Sequence, residues 1–195
     1  MLLWRLRNLA ALTLVLALLI GCTALAYAWW CRPLLAADSA LAAGDIDGAL
    51  AAYARAESRF RRLTVTQYLL ADDYARAIHN QLALLHETAQ YEAVIAKGEN
   101  APLDASPRFW TGCALFSLAA AESKPEVRLV WLSRAESEFK QALEASPDDW
   151  DAKYNYEVTS RLVEQLRKQP ADEPDTLMQL LRPQQRGPRA VRKRG

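Results

Sequence analysis

From Leu9 to Trp30 the chain runs for 22 residues without a charged side chain. As a helix this stretch is about 33 Å long, enough to cross the hydrocarbon core of a bilayer. Arg5 and Arg7 precede it, and Arg32 and Asp38 follow. Basic residues favour the cytoplasmic side, so residues 1–8 are expected as a cytoplasmic arm and 9–30 as a single-pass anchor in the bacterial cytoplasmic membrane. Everything after it is then extracytoplasmic, in the periplasm of a Gram-negative cell. Tyr27, Trp29 and Trp30 stand at the exit, where an aromatic belt is expected.

Leu19-Ile20-Gly21-Cys22 also fits the pattern that precedes a lipidated cysteine. Cleavage there would leave a mature chain beginning "CTALAYAWWCRP", apolar where a lipoprotein usually has a polar leader. Lipidation at Cys22 and an ordinary cleaved signal are the alternatives to a retained span. All three export the remainder.

That remainder is rich in Ala, Leu, Glu and Arg and poor in Gly, a composition that favours helix throughout. Residues 33–181 hold 15 basic and 23 acidic side chains, a net charge of −8, whereas 182–195 hold six basic and none acidic. Cys22, Cys31 and Cys113 suggest neither a disulfide framework nor a metal motif.

Two stretches forty residues apart read alike, "DASPRFW" (Asp104–Trp110) and "EASPDDW" (Glu144–Trp150). Ser106 and Ser146 suit helix N-caps, and Pro107 and Pro147 the first turn, so helices are expected to start near 106 and 146. A period of this length points to stacked helical hairpins.

The segment resembles a tetratricopeptide repeat, a pair of antiparallel helices. With Pro147 as the closing proline, Ala135, Phe139 and Ala142 fall on the small, aromatic and small positions of the second helix. Phe116, Ser117 and Ala120 fall on the large-small-small positions of the first. The small residues let two backbones approach while the phenylalanines fill the gaps. Six surplus residues lie at "ESKPEVR", with Pro125 opening the second helix. Gly44-Asp45-Ile46, followed by Ala49, Tyr53 and Ala56, resembles an earlier half-repeat whose first helix, Asp38–Ala43, is short or continuous with the anchor.

Between these, Thr66–His86 reads as one amphipathic helix with Tyr68, Leu69, Ala75, Ile78, Leu82 and Leu85 on its apolar side. A short helix ended by Gly98 and Pro102 completes a middle hairpin. After Pro147 a long helix carries Asp148, Asp149 and Asp151 in its first turn and Arg167 and Lys168 in its last, which suits its dipole. Glu157 stands where the repeat usually has glycine, so this helix is expected to be a terminal cap. Residues 34–168 thus form the helical domain. Residues 169–195, with four prolines and the basic run, are expected to be mostly disordered.

"SPDDWDAKYNYEVTSRL" is similar to the last helix of a narrower group, the MxaK-like proteins: membrane-anchored, tetratricopeptide-like, and encoded beside MoxR-type ATPases and von Willebrand A-domain proteins. The resemblance implies those proteins as partners. It also implies a role in maturing an exported or membrane complex.

Weighed residue by residue, little points to catalysis. His79 and His86 are about 10 Å apart along one helix, too far to share an ion directly. The aspartates near 150 lack the spacing of a calcium loop and read as caps. Cys113 reads as a small apolar residue. Tyr154, Asn155, Val158 and Arg161 fall on the face that such repeats turn to their peptide groove, although Tyr154 could instead pack on the preceding hairpin. Trp110 and Trp150 read as inter-helix packing. Leu177, Met178, Leu180 and Leu181 make a candidate docking peptide. The basic end could meet lipid headgroups or an acidic partner, and export argues against nucleic acid.

The expectation is therefore an all-α protein: an N-terminal transmembrane helix, then stacked tetratricopeptide-like antiparallel hairpins. It would have no enzyme activity and no cofactor or metal, and would act as a membrane-anchored scaffold or accessory protein. The rivals are a lipoprotein of an envelope assembly machine and an enzyme with a scattered active site.

Overall fold

The computed structural model describes residues 2–102 and 104–168, with side chains from residue 7 onward except 105. Among the described residues every regular element is a helix. The chain divides into two compact units, Met1–Thr88 and Ala89–Gly195.

The first unit contains α1 (Leu2–Ala42), α2 (Ile46–Arg61), α3 (Thr64–Leu69) and α4 (Ala71–Glu87). α1 has 41 residues, about 60 Å of helix. It is long and apolar enough to cross a membrane. The described side chains up to Trp29 are exposed, whereas Cys31, Leu34 and Ala37 are buried in the first unit's core. The expected short helix Asp38–Ala43 is therefore the end of this same helix.

Pro33 lies inside α1 without ending it. A proline has no N–H to donate to the carbonyl four residues earlier, here Trp29. The Arg59 guanidinium on α2 takes that place: its Nη1 donates to the Trp29 carbonyl at 2.7 Å, and it lies 4.8 Å from the centre of the Trp29 ring.

Gly44 and Asp45 make the turn between α1 and α2. Gly44 adopts φ +78°, and the amides of Gly44 and Asp45 bond back to the carbonyls of Leu41 and Ala40. This is the glycine-dependent close of a helix. Asp45 then caps α2 by accepting from the Gly48 amide at 2.9 Å. α2 runs back antiparallel to α1 and buries Ala49, Tyr53 and Ala56, as the half-repeat predicts, together with Ala52 and Phe60.

A chain of polar contacts ties α1, α2 and α4 together. Asp38 on α1 accepts from the Tyr53 hydroxyl at 2.7 Å and from Arg76 at 3.0 Å. Arg76 also donates to Asp73 at 3.1 Å. Asp73 in turn accepts from the Tyr27 hydroxyl at 3.0 Å. Asn80 donates to the Tyr53 oxygen at 2.8 Å. Burial first, then the bond to Asp38, raises the Tyr53 pKa above its usual value, so the hydroxyl keeps its proton.

The single helix expected over Thr66–His86 is two, broken at Leu70, which is non-helical at φ −123° and ψ 41°. The buried stripe of α4 is Tyr74, Ala77, Ile78, Gln81 and Leu82. Extended backwards at helical spacing, it passes through Leu70 and Gln67, not Tyr68 and Leu69. Ile78 and Leu82 are buried as expected, whereas Tyr68, Leu69 and Ala75 are exposed.

The second unit contains α5 (Tyr91–Glu99), α6 (Ala105–Ala121), α7 (Pro125–Ala145) and α8 (Trp150–Lys168). Of the two helices expected to form the middle hairpin, α4 packs on α2 and α5 on α6. α6 and α7 form an antiparallel hairpin. Arg108 on α6 pairs with Glu138 on α7 at 3.0 Å, and Leu115 shares a cluster with Ala135 and Phe139. Ala142 is fully buried as well.

A tight contact between α6 and α7 lies at Gly112, whereas Ser117 and Ala120 are only half-buried. A Cβ there would lie 2.7 Å from the Phe139 ring. Ala119, next to the expected Ala120, is fully buried, as is Ala114, and Phe116 packs half-buried against both clusters. Gly98 lies inside the last turn of α5 rather than ending it, and a Cβ there would lie 2.1 Å from the Thr111 hydroxyl on α6.

Pro125 opens α7 as expected. The fully buried Arg128, three residues on, donates through Nε and Nη2 to the Glu122 carbonyl at 3.1 and 2.7 Å, just past the end of α6. A cation there complements the α6 dipole.

Two expected helix starts move. α6 begins at Ala105, so Ser106 is already inside it. α8 begins at Trp150, because Ser146–Asp149 form a turn with Pro147 second and the Asp149 amide bonded to the Ser146 carbonyl. Asp149, not Ser146, caps α8: its Oδ1 accepts from the amides of Asp151 and Ala152, both at 3.0 Å.

Candidate protein-binding site

α8 is the last described helix, and one of its faces is covered. Leu162 and Val163 pack with Ala119 and Leu132, and Tyr156 packs against the cluster of Leu115, Ala135 and Phe139. Ala152 and Thr159 are fully buried. The buried stripe 152, 156, 159, 163 follows helical spacing and leaves 150, 153, 154, 157 and 161 facing outward.

The four residues expected to share a groove are divided by this geometry. Tyr154 and Arg161 are exposed on the outer face, where Arg161 pairs with Glu157 at 3.5 Å. Asn155 is half-buried, and its side-chain amide donates to the Asp151 carbonyl of its own helix at 2.7 Å. Val158 belongs to the other side: it packs on the Ala119–Leu132–Leu162–Val163 cluster, because an apolar side chain one turn from Leu162 gains more in the core than in solvent.

Sequence reasoning missed Trp150. Expected as inter-helix packing, it is 76% exposed, and Tyr154 one turn on is 69% exposed. Lys153 lies 4.9 Å from the centre of the Trp150 ring. The i, i+4 spacing of Trp150 and Tyr154 opposite the apolar stripe carried the signal. Two large aromatics side by side, flanked by Lys153 and the Glu157–Arg161 pair, suit a protein surface: an apolar centre with a charged rim. Trp110, by contrast, is half-buried and stacks edge-on against Phe109, with ring centres 5.4 Å apart.

Leu177, Met178, Leu180, Leu181 and the basic run lie outside the described residues. Among the described residues no three His, Cys, Asp or Glu side chains gather as a metal site. Cys113 packs with the Leu115–Ala135–Phe139 cluster. Burial, with Asp151 nearby, pushes its thiol up to about 12, so it stays protonated and unreactive at neutral pH. Cys22 lies exposed on α1.

Comparison with protein-family profiles, with curated proteins and with solved structures found no match for this chain.

Proposed function

We propose that this chain is a non-enzymatic, membrane-anchored scaffold. α1 crosses the cytoplasmic membrane with its N-terminus inside, and tetratricopeptide-like helices outside it bind other proteins. The observation that carries this reading is the exposed Trp150–Tyr154 pair on a helix whose opposite side is fixed in the core. Exposed aromatics on a rigid element lose little entropy on binding and are frequent interface anchors. The contacts from Arg59 and Asp73 back to α1 support a second aspect, that the first unit is held at the membrane without a flexible linker.

The similarity to MxaK-like proteins suggests the partners: von Willebrand A-domain proteins and other membrane proteins of MoxR-type clusters, during assembly or maturation of an exported complex. Affinity purification of the full chain from solubilised membranes tests this, with Trp150→Ala/Tyr154→Ala alongside. The expected result is an A-domain or other envelope protein captured by the wild type and lost from the double variant. An identical set of proteins from both would overturn the assignment of the surface.

The Leu19–Cys22 pattern keeps a lipoprotein reading in view. Cleavage before Cys22 would leave five residues, 22–26, between the lipid and Tyr27, which is already bonded to α4. Palmitate-analogue labelling of the wild type but not of Cys22→Ala would establish that rival, whereas an unlabelled wild type removes it.

A further inference from the structure

The end of the first unit nearest the anchor carries a charged cleft that the scaffold reading does not use. Arg32 on α1 and Arg55, Arg59 and Arg62 on or just after α2 line a cleft of about 600 Å³, with Ser58 between them. Among the described residues no acidic side chain lines it. Arg32, Arg55 and Arg62 are exposed, and no carboxylate pairs with them among the described residues. The nearby acids are engaged elsewhere: Glu57 faces Arg61 at 3.3 Å, and Asp73 faces Arg76 at 3.1 Å.

The height of this cleft follows from the hairpin. Arg59 meets α1 at the Trp29 carbonyl, so the cleft starts at that level and extends about 10 Å up α1 to Ala36. At that level one Asp73 carboxylate oxygen accepts from the Tyr27 hydroxyl at 3.0 Å and lies 3.6 Å from the Cys31 sulfur, one turn further along α1. A carboxylate in hydrocarbon is costly, so the apolar core of a bilayer around α1 should end before this level, near Ala26. Leu9–Ala26 is then the part in hydrocarbon, 18 residues or about 27 Å, close to the thickness of that core. The cleft begins about 5 Å beyond its edge, in the layer of phosphate groups.

α3 shares this end of the unit. It joins the membrane-directed end of α2 to the start of α4, where Asp73 meets Tyr27 and Cys31. Its side chains Val65, Tyr68 and Leu69, with Leu63 just before it, are exposed. Apolar side chains below a cluster of arginines are the arrangement of a segment lying in a bilayer interface.

We propose that this end of the first unit is a phospholipid-binding face. The arginine cleft takes the phosphate of an anionic headgroup, and Leu63, Val65, Tyr68 and Leu69 rest in the interface beside it. Guanidinium groups bind phosphate oxygens bidentately, and several converging on one cleft favour a net-negative headgroup over a zwitterionic one. The inference rests on α1 being the membrane span.

The test uses the full chain in detergent, titrated with short-chain phosphatidylglycerol, short-chain phosphatidylcholine or inorganic phosphate, with bound molecules counted by native mass spectrometry. The wild type is expected to hold phosphatidylglycerol at least tenfold more tightly than phosphatidylcholine. Arg55→Gln/Arg62→Gln should lose at least tenfold of that affinity with unchanged thermal unfolding, since neither side chain holds the fold. Arg55→Lys/Arg62→Lys, which keeps the charge but not the fork, should fall between. Equal binding of the two lipids, or undiminished binding by a folded glutamine variant, would overturn the proposal. Full displacement by millimolar inorganic phosphate would also overturn it, by assigning the cleft to the free ion. Alkaline extraction of native membranes distinguishes failure of the anchor from failure of the lipid site. Release of the wild type would remove the anchor itself, whereas retention without selective lipid binding would remove this site alone.

Discussion

Arg59 gives the Trp29 carbonyl the hydrogen bond that Pro33 cannot. The pair lies where α1 passes from its free stretch into the hairpin, and it explains how one helix continues through a proline.

The two residues should therefore be energetically coupled. Arg59→Met leaves the Trp29 carbonyl unpaired and should cost about 2 kcal/mol, in the range for a hydrogen bond to a charged group. In a Pro33→Ala background the restored amide can serve that carbonyl, and Arg59→Met should cost about half as much. Denaturant unfolding of the four full-length proteins in detergent measures the cycle. Equal costs in both backgrounds would show that Arg59 acts through its stacking on Trp29 alone.

Gly112 should not tolerate a methyl group. Alanine gains about 1 kcal/mol in helix propensity. However, its Cβ would lie 2.7 Å from the fully buried Phe139 ring, and overpacking of this kind costs about 1–3 kcal/mol. Gly112→Ala is expected to lower the unfolding midpoint, and a second change, Phe139→Leu, should recover part of the loss. A more stable single variant would contradict the close packing of α6 on α7.

Thr159 is fully buried, and its hydroxyl has no hydrogen-bond partner among the described residues. Thr159→Val keeps the shape and removes the uncompensated polar group, so it should stabilise the second unit by about 1 kcal/mol. Chemical denaturation measures this, and a destabilised variant would mean that the hydroxyl has a partner.

How far the sequence leads depends on whether a feature is local. The Gly44-Asp45 turn, Pro125 at the start of α7 and the buried Ala135, Phe139 and Ala142 follow from spacing within one hairpin, and spacing is legible. The break at Leu70 is not, because Tyr68 and Leu69 look apolar whichever way they face. The Arg76–Asp38 pair spans 38 residues and Arg59–Trp29 spans 30, so no window contains both partners. The outer face of α8 is half legible. Repeat register puts Tyr154 and Arg161 on the outer side, where they are exposed, but it also puts Val158 on the groove face, while Trp150 reads as packing, and only the position of the core reverses those two.

Cys113 supplies a prediction in pH. Its folded thiol is pushed up to about 12 from an ordinary value of 9.0. Between these values the unfolded chain loses the proton and the folded chain keeps it, so this group's contribution to stability is retained below pH 9 and falls as pH rises towards 12. Thiol alkylation of the folded chain at pH 8 should leave Cys113 unmodified, and denaturant should expose it. Rapid modification of the native protein would place Cys113 in solvent.

A protein partner on the outer face of α8 should be captured by photo-crosslinking in intact cells, with a benzophenone amino acid at Tyr154 and, as a control, at Glu136 on α7. A discrete adduct with an envelope protein is expected from position 154 and none from 136. The same adduct from both positions, or none from 154 in a protein that is membrane-bound and folded, would contradict it.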